Sequence, residues 1–332
     1  MTTFNKIYKA TRIWILLIIA ILLPKFVNRY YLGVVNIALI FGILTMSLNI
    51  LSGCTGLFNV GFIAFYGIGA YTAAILSTRF GVPILLCIFL AGVVSALFSL
   101  ILALPTMRLR GMYFAVASLA FGEIMYQIFV NARSVTGGTQ GISSIPSPEW
   151  FGIRFRQPQN FYYILLVFTV IIIILIRNLI NSRAGRAMLA IRENDIAAEA
   201  MGIDVPKYKT LAFAAATFFA GVAGSLYAFY SHFVSPESFV NSESSAVLAM
   251  MVVGGIGSIS GSFIGGLALS ILPEFMRFLG NLRLVIYGLA VVVIIIFAPK
   301  GIGGAIEWLD GVLCGTIKVG KQKSAVEKKE AE

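Results

Sequence analysis

Long apolar runs dominate this chain and decide what it can fold into. A membrane-spanning helix needs about 20 mostly apolar residues, and eight stretches of the sequence are candidates. Only 12% of the 332 residues are charged, too few to coat a soluble surface of this size. We therefore predict an all-α polytopic membrane protein. The candidate spans are residues 12–27, 31–51, 57–78, 82–105, 111–131, 160–180, 209–230 and 282–298.

A ninth region, residues 245–272, is apolar but broken in its middle by glycines and serines. Short loops rich in Lys and Arg mark the cytoplasmic side, and they occur at the N-terminus, around residues 108–110, after the sixth span and in the C-terminal tail. The segment after the sixth span and the C-terminal tail can both be cytoplasmic only if an even number of crossings lies between them. The ninth region gives that even number if it breaks at Gly254–Gly261 and forms a hairpin of two short segments. We predict that hairpin, about ten spans, and one transmembrane domain over residues 1–332. Its predicted parts are the first six spans (12–180), a polar cytoplasmic segment (181–208), the last spans (209–298) and a cytoplasmic tail (299–332).

Charge and cysteine usage exclude several functions. The net charge of +11 is typical of Lys and Arg collected in cytoplasmic loops, so no nucleic-acid partner is predicted. Three scattered cysteines and one histidine indicate neither a metal site nor a disulfide framework, and no cofactor is predicted. The stretch "GTIKVGKQ" (315–322) lacks the hydroxyl residue and the preceding strand of a phosphate-binding loop. The chain is therefore not predicted to be an enzyme, and any ATP hydrolysis would belong to another chain.

A polar island at residues 190–209, "AIRENDIAAEAMGIDVPKYK", interrupts the apolar sequence. Gly185 to Ile191 can form one short helix, and residues 196–201 a second, with Asn194 or Asp195 as N-cap and Gly202 as C-cap. Asp195 and Glu199 share a face of the second helix and repel each other. A basic partner surface would turn that cost into attraction, but a solvated loop has the same spacing.

Two further features bear on transport. Glu123 is the only acidic residue deep in a predicted span. An ion-coupled transporter would use such a carboxylate, but a protonated carboxyl group with a structural role would give the same sequence. Small residues recur every four positions in two stripes, where a second helix can approach closely. The stripes are Ala212, Ala216, Ala220, Gly224 and Ala228, and Gly257, Gly261 and Gly265.

Several stretches resemble the permease subunits of branched-chain amino acid ABC importers, and the M-type more than the H-type. They include "LSGCTGLFNVGFIAFYGIGAYTAA" (51–74), "RLRGMYFAVASLAFGEIMYQ" (108–127), the island with "LAFAAATFFAGVAGSLYA" after it, and "YGLAVVVIIIFAPKGIGG" (287–304). The resemblance runs from about residue 40 to residue 305. Importers of urea and short-chain amides share these motifs, so an amide or urea permease is the alternative.

The resemblance implies a complex in the plasma (inner) membrane of a bacterium or archaeon. Its other members would be an H-type permease, two cytoplasmic ATP-binding subunits and an extracytoplasmic substrate-binding protein. Residues 181–208 would then be the ATPase-coupling segment, and the island would insert into a groove of the ATPase. The residues that match or adjoin the docking motif of the family are Arg192, Glu193, Asp195, Glu199, Ala200 and Gly202.

The implied function is import of leucine, isoleucine or valine by alternating access. A sparsely charged path suits such side chains, and a broken helix end offers backbone amides to the carboxylate of the amino acid. Asn59 and Phe62 depart from the family pattern, which leaves urea and amides open. The predicted path residues are Asn59, Tyr66, Tyr71, Ser118 and Glu123.

Overall fold

The computed structural model describes residues 20–106, 111–147, 149–150, 153–154, 157–280, 282–297 and 301–304. Part of the predicted span 12–27, most of the predicted tail 299–332 and the whole of 315–322 lie outside the described residues.

Helices make up most of the described chain, which confirms the all-α prediction. Five of them are long and apolar enough to cross a membrane, namely α1, α3, α4, α6 and α9. Residues 20–26 and 301–304 are also helical. In chain order the helices are α1 Arg29–Thr55, α2 Ile63–Arg79, α3 Ile84–Thr106, α4 Met112–Asn131, α5 Arg133–Thr136, α6 Pro158–Asn181, α7 Arg183–Glu193, α8 Asp195–Ala200, α9 Val205–Ser231, α10 Asn241–Gly254, α11 Ile259–Phe275 and α12 Leu282–Phe297.

The remaining regular elements are short and lie in the connections. Strand β1 (Ile142–Ser143) pairs antiparallel with β4 (Phe233–Val234), and β2 (Glu149–Trp150) pairs with β3 (Ile153–Arg154). Three single 3-10 turns complete the described chain, at Gly138–Gln140, Pro236–Phe239 and Arg277–Leu279.

Helix α9 lies at the centre of the bundle and packs along α1, α2 and α3. Its small-residue stripe brings backbones together, as predicted. A methyl group added to Gly224 would come within 2.0 Å of the carbonyl oxygen of Tyr66, and one added to Gly69 within 2.2 Å of the carbonyl oxygen of Gly221. Only glycine permits these approaches, so Gly224 of the stripe and Gly221 next to it determine how closely α2 packs against α9.

The glycine-rich region forms two helices, as predicted, with the break at residues 255–258. Helix α11 packs along α1 and against α10. A methyl group on Gly265 would lie 2.4 Å from the carbonyl oxygen of Met250, and one on Gly261 would lie 2.2 Å from that of Gly254. The predicted stripe is wrong at Gly257, because this residue lies in the turn at φ +89° and faces Arg192 instead.

The third predicted span, 57–78, starts later than its apolar composition indicates. Residues 56–62 form a largely buried irregular stretch, and α2 begins only at Ile63. Gly56 ends α1 in the left-handed conformation, at φ +72°. The Asn59 carboxamide then accepts the amide hydrogen of Gly61 in place of a helical bond. Irregular backbone is tolerated inside a membrane protein where neighbouring side chains satisfy it.

The bundle has two distinct ends. The start of α9, the end of α1 and the turn at 255–258 lie beside the polar island. Helix α9 has 27 residues and so carries the chain about 40 Å away from the island. Strands β1 and β4 pair at that opposite end, just after α9.

Candidate docking segment and substrate path

Local capping explains why the island folds into two short helices. The Ser182 hydroxyl accepts the amide hydrogen of Gly185 at the start of α7. The Asn194 carboxamide accepts those of Ile196 and Ala197 at 3.0 Å, so it is the N-cap of α8. Gly202, at φ +82°, ends α8 in the left-handed conformation. The caps of α8 are therefore Asn194 and Gly202, as the sequence indicated, whereas the cap of α7 at Ser182 was not anticipated.

Asp195 is paired within the chain. Its Oδ2 lies 2.5 Å from Nζ of Lys209, a residue that is only 4% exposed at the start of α9. Apolar packing of Ile191, Ala198 and Val205 supports the same junction. We expected Asp195 and Glu199 to present an unpaired acidic face to a partner. Lys209 neutralises one of the two carboxylates, and this pairing fixes α8 against α9.

Arg192 is also engaged within the chain. Its Nη1 donates a hydrogen bond of 2.7 Å to the carbonyl oxygen of Gly53, in the last turn of α1. A methyl group on Gly257 would come within 2.6 Å of the same nitrogen. The guanidinium therefore lies against the end of α1 and the hairpin turn, while the residue itself stays exposed at the surface of the island.

The other predicted docking residues lie on the surface of the island. Glu193, Glu199, Ala200 and Gly202 are exposed. Two large apolar side chains accompany them, Ile196 at 65% and Met201 at 83% exposure. We define these six residues as the docking face. It combines protruding apolar side chains with two carboxylates.

A central polar cluster surrounds the irregular stretch before α2. The Ser118 hydroxyl of α4 accepts the amide hydrogen of Val60 at 3.0 Å. The Ser244 hydroxyl of α10 accepts that of Ile63 at 3.4 Å. Asn59 is fully buried, and its Nδ2 has no hydrogen-bond partner among the described residues. Three helices thus meet at the start of α2, where backbone and side-chain polar groups concentrate.

Glu123 lies beside this cluster, near the middle of α4. Its Oε1 accepts a hydrogen bond from Gln127 and its Oε2 accepts one from Asn241, each at 3.1 Å. The residue is exposed on the face of α4 that also carries Gln127 and Asn131. No ion pair joins Glu123 to a Lys or Arg within the described ranges. The carboxylate is therefore held by neutral donors and has no cation of its own there.

Tyr66 and Tyr71 belong to an aromatic cluster instead. Tyr71 stacks on Phe129, with ring centroids 4.7 Å apart, and both tyrosines contact Phe239. Tyr66 also packs against Tyr227, at 5.7 Å between centroids. Both tyrosines are buried. The structure thus brings Asn59, Ser118 and Glu123 together and places the two tyrosines in neighbouring aromatic packing.

Sequence reasoning missed the contribution of α10. Asn241 holds Glu123, and Ser244 holds the start of α2. The signal was the polar run "NSESS" at 241–245, directly before an apolar stretch. The same run places Glu243, a half-buried acidic residue, in the first turn of α10.

The apolar helices and the broken helix pair are typical of a multi-pass membrane protein. The family model described as "Branched-chain amino acid transport system / permease component" matches residues 30–298. The chain belongs to this family, whose members are transport subunits and not enzymes.

Curated relatives agree with this assignment. The chain is 36% identical over 310 residues to the "High-affinity branched-chain amino acid transport system permease protein LivM" of Salmonella typhimurium, covering 86% of this chain and 73% of the relative. The protein of the same name from Escherichia coli is 34% identical over the same shares. The "Probable branched-chain amino acid transport permease protein LivH" of Methanocaldococcus jannaschii is 28% identical over 73% of this chain and 81% of its own.

Proposed function

We propose that this chain is one of two permease subunits of an ATP-driven importer of leucine, isoleucine and valine. The observation that carries the proposal is the family match over residues 30–298, with its 36% identical relative. The second permease would be of the H-type, to which this chain is also similar. Two ATP-binding subunits on the cytoplasmic side and a substrate-binding protein outside would complete the complex, in the inner membrane of a bacterium or archaeon. Both termini would lie in the cytoplasm.

The docking face is the part of the island that would enter the ATPase. Met201 and Ile196 protrude with exposures of 83% and 65%, and exposed apolar side chains of this size are typical of protein interfaces. Glu193 and Glu199 flank them, which favours a groove with basic residues. Arg192 and Asp195, which the sequence grouped with these residues, would instead hold the segment in place, since their partners within the chain are Gly53 and Lys209.

Glu123 would receive the ammonium group of the substrate. An ionised side chain at the centre of a membrane helix costs about 2.5–3.5 kcal/mol or more, so such groups face protein or water rather than lipid. Gln127 and Asn241 hold the carboxylate in place and leave its charge uncompensated. Asn59, Ser118 and the start of α2 would complete the polar end of the site. Tyr66 and Tyr71 would shape its apolar side.

Transport by the purified complex tests the proposal. The complex isolated through a tag on this chain, placed in liposomes with its binding protein, is expected to import leucine, isoleucine or valine only when ATP is supplied to the ATPase side. Uptake of urea without leucine would identify the amide and urea alternative. Uptake driven by a proton or sodium gradient without ATP would identify an ion-coupled transporter and refute the proposal.

A further inference from the structure

The turn at residues 255–258, which joins α10 to α11, is held on two sides. Asn49 of α1 binds it with both ends of its carboxamide. Its Oδ1 accepts the amide hydrogen of Gly257 at 2.8 Å, and its Nδ2 donates to the carbonyl oxygen of Ser258 at 3.1 Å. On another side, a methyl group on Gly303 would come within 2.6 Å of Ser258 Oγ. The turn is therefore attached to the end of α1 and to residues 301–304.

Arg192 connects the docking segment to the same place. The carbonyl oxygen of Gly53 is in the last turn of α1, where carbonyl groups lack helical partners and the helix dipole favours a cation. Arg192 Nη1 donates to this oxygen at 2.7 Å and lies against Gly257. Its Cγ would also touch a methyl group on Gly56, at 3.9 Å. Arg192, which stays exposed to solvent, thus bridges α7, the end of α1 and the turn.

We propose that Arg192 and Asn49 are positioning residues that join the docking segment to the hairpin turn, so that the two move as one body in the transport cycle. The inference rests on the proposed function, because it takes the coupling segment, residues 181–208, as the part of the chain that the ATPase displaces. The connection passes from the docking face through α7 and Arg192 to the end of α1, and through Asn49 to Gly257.

Helix α10 extends this connection to the candidate path. It has 14 residues, which is about 20 Å, and its far end carries Asn241 and Ser244. Asn241 donates to Glu123, and Ser244 accepts the amide hydrogen of Ile63. A displacement of the turn along α10 therefore changes the hydrogen bonds that hold Glu123 and the start of α2. The docking segment would control access to the path through this helix.

Two substitutions that remove the contacts test the proposal in the complete complex. Arg192→Gln removes the guanidinium, and Asn49→Leu keeps the approximate shape of Asn49 without its hydrogen bonds. Both variants are expected to retain the ATPase on purification. The number of ATP molecules hydrolysed per amino acid imported should rise about tenfold in each variant, because Arg192→Gln loses one charge-assisted hydrogen bond and Asn49→Leu loses two neutral ones, which are comparable in free energy. A lower amount of folded protein reduces hydrolysis and uptake alike, so this ratio separates positioning from mere stability.

Matched variants sharpen the comparison. Arg186 lies on the same helix, but its Nη1 donates to the carbonyl oxygen of Asn181 at 3.0 Å, away from α1 and the turn. Arg186→Gln should leave the ratio at the wild-type value. Arg192→Lys keeps a donor for Gly53 on a smaller head group and should recover part of the coupling.

A distance measurement tests the same idea without removing either side chain. Leu189 of α7 and Ile256 of the turn are 36% and 37% exposed, so both positions accept spin labels. The distance between the labels should stay constant within about 2 Å, the size of small helix shifts, between the ATP-free and ATP-bound complex. A larger change overturns the proposal, as does an unchanged hydrolysis ratio in both Arg192→Gln and Asn49→Leu. Loss of the ATPase from the Arg192→Gln complex would place Arg192 in the ATPase interface and also overturn it.

Failure of the proposed function gives a different result. In that case the wild-type complex itself lacks ATP-driven uptake or a bound ATPase. When the wild-type complex transports with ATP, the variants and the labels decide only the role of Arg192 and Asn49.

Discussion

Asp195 and Lys209 form an ion pair of 2.5 Å between the short helix α8 and the beginning of α9. The lysine side chain is 5% exposed and the aspartate side chain 29%. Removal of one partner from a buried pair leaves an uncompensated charge, which is more damaging than the loss of both. The pair therefore fixes the docking segment to the central helix. Substitution of Asp195 or Lys209 alone should destabilise the protein more than substitution of both.

The first prediction concerns this pair. Asp195→Ala should lower the free energy of unfolding of the purified chain by about 3 kcal/mol. This is the lower end of the range for breaking a buried ion pair, because Asp195 is partly exposed. The double variant Asp195→Ala/Lys209→Met should regain most of that loss. The thermal unfolding midpoint in detergent measures both effects. Lys207→Met removes an exposed lysine nearby and serves as the control. Equal midpoints for wild type and Asp195→Ala would show that the pair does not stabilise the segment.

The second prediction concerns the docking face. Glu199→Lys reverses an exposed charge with little change in helix propensity. A like charge at a tight interface costs several kcal/mol, so affinity for the ATPase should fall about a hundredfold or more. Membrane abundance should stay normal, because the side chain makes little contact with the bundle.

Co-purification of the ATPase with the tagged permease measures this change. Glu237→Lys is the matched control, since Glu237 is an exposed acid at the opposite end of α9. It should retain the ATPase. Normal co-purification with Glu199→Lys would mean that the island is a solvated loop.

The third prediction concerns Glu123. Glu123→Gln keeps the size of the side chain but removes the charge proposed to meet the substrate ammonium group. Hydrogen bonds to charged groups contribute about 1.5–3 kcal/mol, so uptake should fall at least about tenfold. Binding of the ATPase should not change. Uptake of labelled leucine into liposomes is the measurement, with Glu274→Gln as a neutralised acid outside the polar cluster. Wild-type uptake by Glu123→Gln would exclude a charge role for this residue.

The fourth prediction concerns the orientation of the hairpin. The turn at 255–258 lies beside Arg192, so it should share the cytoplasmic side with the island. In a cysteine-free background, Ile256→Cys should resist an impermeant thiol reagent added to intact cells. Glu237→Cys, at the opposite end, should react readily. Rapid labelling of Ile256→Cys from outside would contradict the predicted topology.

Local sequence determined most of the helices and both helices of the island. A backbone inside a bilayer has to satisfy its own hydrogen bonds, so long apolar runs such as 209–230 and 160–180 could only become helices. Capping is equally local, since Asn194 and Gly202 act within a few residues of themselves. The break in the ninth region is local too, because Gly255 and Gly257 take positive φ angles between the two helices. The role of the docking face stays a prediction.

The tertiary structure alone decided which partner each polar side chain found. Arg192 binds a carbonyl group 139 positions away, and Asn241 reaches Glu123 across 118 positions. The sequence does not show which hydrogen-bond donor pairs with which acceptor, because no periodicity links residues so far apart in the chain. The choice depends on how the helices pack, which the glycine contacts of α9 and α11 set. For the same reason the late start of α2 was hidden in the sequence, because Ser118 and Ser244 replace helical hydrogen bonds only once three helices have come together.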